Sequence, residues 1–218
     1  MHPTHKELDI TSERSALEFI RKERPELLIH CAALTGIRDC EEKQKTAWQV
    51  NVLGTENLVK ACEKYQNNCY FVYVSTACVF KGDVGGYIET DIPYPKNFYA
   101  LSKLLSEFIV NCSAITRKLV IRTNFAARER WPYPKAFTDR FGTYLFADDL
   151  AKAMKFVLDK ELTGVVHICG EEVLSMFELA KITTPDIIPM TMAEYQGPPL
   201  TVNMTLRSTR IAPFKITK

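Results

Sequence analysis

A chain of 218 residues that is 46% hydrophobic and 25% charged has room for one domain of good size, or one domain with a small lobe. Its net charge of +2, with no Lys/Arg run longer than two, excludes a binder driven by charge to nucleic acid or anionic membrane. No apolar stretch approaches the roughly 18 residues of a transmembrane helix, and Met1–Lys6 has no apolar segment of the signal-peptide kind.

The seven cysteines, Cys31, Cys40, Cys62, Cys69, Cys78, Cys112 and Cys169, are odd in number and contain no Cys-x-x-Cys pair. That pattern points to neither a disulfide framework nor a zinc site, but to buried small hydrophobes in a reducing compartment, hence the cytoplasm. His2, His5, His30 and His167 are not spaced as metal ligands, so no metal is expected. His30 and His167 sit inside apolar strands and read as satisfied core groups.

In chain order, Thr11 is a plausible N-cap for a helix with Leu17 and Ile20 on its apolar face, closed by Arg24-Pro25. Leu27–Ala33 reads as a buried strand ending in small residues. A long helix follows from Glu41 to about Tyr65, with Trp48, Val52, Leu58, Val59 and Cys62 as its core-facing positions. Tyr70–Val74 is a second buried strand. From Leu101 onward, Leu104, Leu105, Phe108 and Ile109 give another amphipathic helix, and Leu119–Arg122 a further strand. Buried strands alternating with helices imply βαβ units and a parallel sheet.

Beyond Arg122 the regularity weakens. Trp131-Pro132-Tyr133-Pro134 is a loop rich in aromatics and prolines. Asp148–Leu158 is a helix, Gly164–Ile168 a strand and Ser175–Lys181 a helix capped by Ser175. The tail, with Pro185, Pro189, Pro198, Pro199 and Pro213, is mainly loop. The expected fold is a Rossmann-like, doubly wound α/β sheet over residues 1–124, with a small α/β substrate lobe over 125–218.

The chemistry concentrates between Ser75 and Lys103. Two hydroxyls, Ser75 and Thr76, stand at the carboxyl end of a strand. Tyr99 and Lys103 share one face of the following helix. A phenol has a pKa of about 10, too high for a base at neutral pH. An ammonium one turn away favours the phenolate and brings it toward the working range. With Thr76 or Ser75 bonded to the same substrate oxygen, the set can protonate a carbonyl as hydride arrives. None of these groups can carry a hydride, so a nicotinamide cofactor is implied. Tyr-x-x-x-Lys alone is a weak signal; its order after a strand and a Ser-Thr pair gives it force.

A longer set of segments extends this signal: Leu8–Thr11, Pro25–Thr35, Asn51–Thr55, Ser75–Phe80, Tyr87–Asp91, Pro95–Tyr99 with Lys103 and Glu107, Leu119–Asn124, Phe146–Ala151 and Pro199–Met204. In this ordered set the chain resembles the extended short-chain dehydrogenase/reductase family, in its sugar-nucleotide branch and the dTDP-4-dehydrorhamnose reductases within it. The resemblance implies an NADP- or NAD-dependent reductase of a 4-keto-6-deoxy sugar nucleotide. It implies that Thr76 orients the substrate oxygen, Tyr99 is the acid/base, and Lys103 lowers the Tyr99 pKa and holds the nicotinamide ribose. Asp9 and Ile10 would lie at the adenine, and Cys31, Ala32, Ala33 and Thr35 would line the cofactor. Ala77, Cys78, Asn124, Phe125 and Trp131 would face substrate. The partners expected are a nucleotide-sugar substrate, no nucleic acid and no membrane, with a homodimer as the assembly to test.

Other readings stay beside these. Asn51 can equally be a helix-capping or strand-bridging amide. Trp131 can be a lid packed onto its own lobe. Cys78 lacks a histidine neighbour in sequence and reads as lining rather than nucleophile. Asp148 and Asp149 read as acids at a helix N-terminus.

The sequence also departs from the family. The resemblance expects a strand and a glycine-rich turn ahead of Asp9, yet the first glycine is Gly36. The first strand, its turn, the first helix and the second strand are therefore expected to be missing, leaving the Leu27–Ala33 strand with an unpaired edge. Ala77-Cys78 replaces an Asp-Tyr pair, Pro198 replaces an Arg, and the segment between Phe125 and Phe146 is short. These departures keep two alternatives open. One is a non-catalytic regulatory subunit on the same fold, like that of methionine adenosyltransferase. The other is a sugar-nucleotide epimerase or dehydratase.

Overall fold

A computed structural model describes residues 1–217. The chain forms two compact units, residues 1–75 with 97–121 and residues 76–96 with 122–218.

The first unit opens with α1 (Glu13–Glu23), capped by Ser12, whose side chain accepts from the Ser15 N–H. The cap is thus one residue later than the Thr11 expected, because Thr11 is engaged backward with Asp9. Ala16 and Ile20 are the buried positions of α1, which packs on α4 (Gly54–Tyr65). Between them, β1 (Leu27–His30) pairs in parallel with β2 (Tyr70–Val74), Leu27 opposite Tyr70 and His30 opposite Tyr73. β2 pairs in parallel with β3 (Arg117–Thr123), Tyr70 opposite Arg117 and Val74 opposite Ile121. Every residue of β2 is buried, as expected of a strand flanked on both sides in a parallel sheet.

β1 stops at His30, three residues short of its expected end at Ala33. Beyond it the side-chain amide of Asn51 occupies both backbone groups of Leu34: Oδ1 accepts from the N–H at 2.7 Å and Nδ2 donates to the carbonyl at 3.0 Å. The chain ends β1 by trading strand bonds for an amide clamp. Among the described residues β1 is the outermost strand of the sheet, with β2 its one neighbour. Leu27 and Ile29, on one face of β1, are 44% and 42% exposed. His30, on the other face, is buried against α4, with Nε2 3.0 Å from Thr55 Oγ1.

The helix expected over Glu41–Tyr65 is broken into pieces: α2 (Ile37–Glu42), α3 (Gln44–Ala47), a π-helical turn over Trp48–Leu53, and α4. The wider turn rotates Trp48 outward to 40% exposure instead of the core position expected. It also leaves the Asn51 carbonyl to side chains, which donate from Thr55 Oγ1 (2.6 Å) and Ser106 Oγ (2.7 Å). Such single-turn π segments recur where a helix must serve a site.

α5 (Phe98–Cys112) is capped by Asn97, which accepts from the Ala100 N–H. Its burial reverses the expected pattern. Ser102, Lys103, Ser106 and Glu107 are buried, whereas Leu101 is exposed and Phe108 is 68% exposed. The polar side chains turn inward because partners wait there; Ser102 Oγ, for one, accepts from Asn51 Nδ2 at 2.9 Å.

In the second unit, short strands replace long ones: β4 (Phe125–Ala126), β5 (Lys135–Phe137), β6 (Phe141–Gly142) and β7 (Leu145–Phe146) precede α6 (Ala147–Asp159). Then come β8 (Gly164–Ile168), β9 (Leu174–Ser175), α7 (Met176–Thr183) with a Ser175–Glu178 capping box, β10 (Ile188–Met190) and β11 (Asn203–Met204). β6 pairs in parallel with β11 and antiparallel with β9. β4 pairs with β7, and β5 with β10. Arg128 donates to Asp148 and Asp149 at the start of α6, and Thr217 donates to Asp149 through N and Oγ1. Those acids thus fasten the C-terminal tail as well as facing the helix dipole. No helix of the described residues is long and apolar enough to cross a membrane.

Candidate active site

Ser75 ends β2, its N–H bonded to the Ile121 carbonyl at 2.7 Å. Its hydroxyl donates to Glu107 Oε1 at 2.5 Å. This separates the two hydroxyls that the sequence left equivalent. Ser75 is committed to the buried carboxylate of α5.

Lys103 comes from the same helix face and is 3% exposed. Its Nζ donates to the Val74 carbonyl at 2.8 Å and stands 4.2 Å from the centroid of the Tyr73 ring. Burial drops its pKa to about 8, and the charges of Glu107 and Cys31 oppose that fall. An ammonium with this pKa changes charge close to neutral pH, unlike a surface lysine. Tyr99 is half-buried, one helical turn earlier on α5, with its carbonyl accepting from Ser102 Oγ at 2.8 Å. His30 lies beside the group as a neutral ring: burial, then the Lys103 charge, push its pKa down to about 3.

The positions expected to hold a dinucleotide fall in the same unit. Cys31, Ala32 and Thr35 are exposed and Ala33 is half-buried, in the irregular segment that follows β1. The carboxyl ends of parallel strands are where open α/β sheets take ligands. The Asp9 carboxylate accepts from Thr11 N (2.9 Å) and Thr11 Oγ1 (2.7 Å). The Ile10 carbonyl accepts from Asn57 Nδ2 (2.8 Å). Ile10 also lies so close to Gly54 that a Cβ there would sit 2.8 Å from its Cδ1 and would make the Ile10 side chain shift. Small side chains, an ammonium and an exposed strand end fit the ribose and nicotinamide portion of such a cofactor. Asn51, by contrast, is fully employed as the strand-bridging amide.

In the second unit, Thr76 caps a 3₁₀ turn over Ala77–Val79, its Oγ1 accepting from the Cys78 N–H at 3.1 Å. The hydroxyl proton remains available to donate. Ala77 and Cys78 are buried, and the Cys78 Sγ lies 3.4 Å from Met204 Sδ. Asn124 Nδ2 donates to the Met204 carbonyl at 2.7 Å. Cys78 and Asn124 therefore meet on one methionine. Phe125 is half-exposed. Trp131 packs with Phe177 on a small core of Ala136, Ala180 and Ile187, and its indole N–H points at the Lys135 carbonyl. That is how a lid packed onto its lobe behaves. His167 is buried, with Nδ1 3.1 Å from the Tyr87 carbonyl.

Two residues at the Cys78–Asn124 cluster, Arg140 and Tyr144, went unread in the sequence, and Met204 enters there only as the end of the Pro199–Met204 segment. Arg140 Nη2 lies 3.3 Å from Met204 Sδ, and burial pushes the Tyr144 hydroxyl's pKa up while the Arg140 charge opposes that rise. No spacing motif announces them; a lone Arg between two short strands carries no periodic signal.

The sequence profile of the family described as "RmlD substrate binding domain" matches residues 1–195. A dTDP-4-dehydrorhamnose reductase of Mycobacterium tuberculosis is 29% identical over 89% of this chain and 72% of that protein. A crystal structure of a dTDP-4-dehydrorhamnose reductase from Bacillus anthracis, in complex with NADP, superposes with a TM-score of 0.84. It is 24% identical and covers 94% of this chain and 80% of its own. A structure titled as a hypothetical dTDP-4-dehydrorhamnose reductase from Sulfolobus tokodaii is 30% identical with a TM-score of 0.79, over 93% of this chain and 78% of that one. The fold is thus the Rossmann-like α/β arrangement read from the sequence, and the chain belongs to the RmlD substrate-binding domain family.

Proposed function

We propose that the protein reduces the keto group of a 4-keto-6-deoxy sugar nucleotide with NADPH or NADH, in the manner of the dTDP-4-dehydrorhamnose reductases it is similar to. One observation carries the reading: a buried Lys103, its pKa near 8, one helical turn from Tyr99. The cofactor supplies a hydride when bound; Lys103, Cys31, Ala32, Ala33 and Thr35 are the residues that would hold its ribose and nicotinamide, with Asp9 and Ile10 at the adenine. Tyr99 donates its phenolic proton to the substrate oxygen. Lys103 stabilises the phenolate that remains, which lowers the cost of that transfer. Ser75 is held by Glu107, so Thr76 is the hydroxyl proposed to orient the substrate oxygen. Asn124, Phe125, Ala77, Cys78 and Trp131 are the proposed substrate-facing set.

The nucleotide sugar is the partner in this reading, and the net charge of +2 supports one without nucleic acid. A homodimer is the proposed assembly, measured by light scattering. Tyr99→Phe should lower kcat by about 10²–10⁴-fold, the range of a general acid, with cofactor affinity unchanged by calorimetry. Turnover at the parent rate would end the assignment. The non-catalytic reading is favoured by one feature, Ala77-Cys78 in place of the Asp-Tyr pair; failure of both NADPH and NADH to bind the chain would select it.

A further inference from the structure

Arg140 immediately precedes β6 and is 7% exposed. Its Nε donates to the Thr201 carbonyl at 2.9 Å. Its Nη1 lies 3.1 Å from Met176 Sδ, and its Nη2 3.3 Å from Met204 Sδ. Among the described residues none of its bonds reaches a carboxylate. Thioethers are weak acceptors, and a guanidinium carries five N–H groups. A full positive charge is therefore buried against one carbonyl and two sulfurs, a costly arrangement without a counter-charge. A merely structural clamp on Thr201 needs only a neutral donor.

A second observation points the same way. The Tyr144 hydroxyl is buried and has no hydrogen-bond partner among the described residues. Its ring lies over Gly142, where a Cβ would come 2.7 Å from Cζ, so the missing side chain at 142 is what admits it. Gly142 pairs with Met204 across β6 and β11. Arg140, Cys78 and Asn124 all reach that methionine, and Tyr144 lies over its pairing partner Gly142. An orphaned O–H and an unneutralised guanidinium in one buried cluster are complementary to a single kind of group, an oxyanion. The methionines are the flexible, polarizable side chains that can yield to it.

We propose that Arg140, with the Tyr144 hydroxyl, forms an oxyanion subsite for the ligand of the second unit. The group bound is a phosphoryl or carboxylate oxygen set, taken in place of the Met204 and Met176 sulfurs. This rests on the nucleotide-sugar reading in that such a substrate supplies the anion through its diphosphate; a carboxylate on the sugar is the other source.

The test is a calorimetric titration of the full chain with inorganic pyrophosphate and, separately, with glucuronate. The parent protein should bind one of them saturably; pyrophosphate assigns the diphosphate source and glucuronate the carboxylate source. Arg140→Gln should weaken that binding by about tenfold or more, and Arg140→Lys should restore part of it. Tyr144→Phe removes a hydroxyl that holds nothing in the fold, so it should leave the melting temperature unchanged while weakening binding severalfold. If Arg140→Gln does not fold, the Arg140→Lys and Tyr144→Phe affinities decide. Parent-level affinity in the folded variants, or no binding of either anion by the parent, overturns the subsite. The titration needs no turnover, so a Tyr99→Phe enzyme with full activity would refute the reductase reading and leave this one standing.

Discussion

Under α5 and around Arg140 the protein buries polar side chains to a similar depth, with opposite outcomes. In the first unit the groups close on one another. Asn51 joins Leu34 and Ser102, its carbonyl takes Thr55 and Ser106, Ser75 donates to Glu107, and Lys103 donates to Val74. The Tyr73 hydroxyl is the exception. In the second unit Tyr144 Oη, Thr123 Oγ1 and His167 Nε2 lack partners among the described residues, and Arg140 rests on sulfur. A satisfied network rigidifies what it holds, whereas an unsatisfied one carries an uncompensated desolvation cost. The chain thus closes its polar network under α5 and leaves polar atoms of the second unit without partners among the described residues.

Three measurements bear on that contrast. The largest effect is expected from Glu107→Gln, which removes the carboxylate that Ser75 and the Lys103 charge depend on. Breaking a buried ionic arrangement on one side costs about 3–5 kcal/mol, so the urea midpoint should fall sharply and the Lys103 pKa should drop further below its usual value. An unchanged midpoint would show that the closed network contributes nothing to stability. Next, Asn51→Leu strands both backbone groups of Leu34 and frees the Ser102 hydroxyl. The expected loss is about 2–3 kcal/mol from orphaned buried groups, with β1 amides exchanging faster in hydrogen exchange. A loss below 1 kcal/mol would mean water replaces the amide readily.

The most gradual effect is in pH dependence. His30 stays neutral in the fold down to about pH 3, whereas its ordinary value is 6.5. Below 6.5 the unfolded chain takes up a proton that the folded one refuses. Stability is therefore full above pH 6.5 and falls as the pH drops toward 3, by at most about 1.4 kcal/mol per pH unit from this group. His30→Phe should flatten that limb in denaturant titrations; an identical slope would place the titration elsewhere. Lys103 behaves likewise in another window. Its folded pKa of about 8, against 10.5, means that folding is relieved of a buried charge as the pH rises from 8 to 10.5.

Much of this was legible in the sequence, and the misses have a common cause. The strands Tyr70–Val74 and Leu119–Arg122 are built on continuous apolar runs, Tyr70–Val74 and Leu119–Ile121, which only a buried strand or helix explains. Tyr99 and Lys103 were legible because residues four apart share a helix face. The inward face of α5 was not. Leu104, Leu105, Phe108 and Ile109 have helical spacing, but so do Ser102, Lys103, Ser106 and Glu107. The decision was made by partners such as Asn51 and Val74, which lie 51 and 29 residues away. The π-helical turn at Trp48 escaped for the same reason, since its opened carbonyl is taken by Thr55 and Ser106. Arg140 depends on Met176, Thr201 and Met204, at separations of 36 to 64 residues, where no local pattern reaches.

The bare margin of β1 governs how the protein behaves as a material. Four residues of unpaired strand, with Leu27 and Ile29 uncovered beside them, act as a cohesive end that can zip to its own kind. Loss of this chain on filtration at high concentration is the expected outcome, read by sedimentation before and after the filter. A lysine at position 29, the gatekeeper that natural sheet margins employ, is the change that keeps the preparation dispersed.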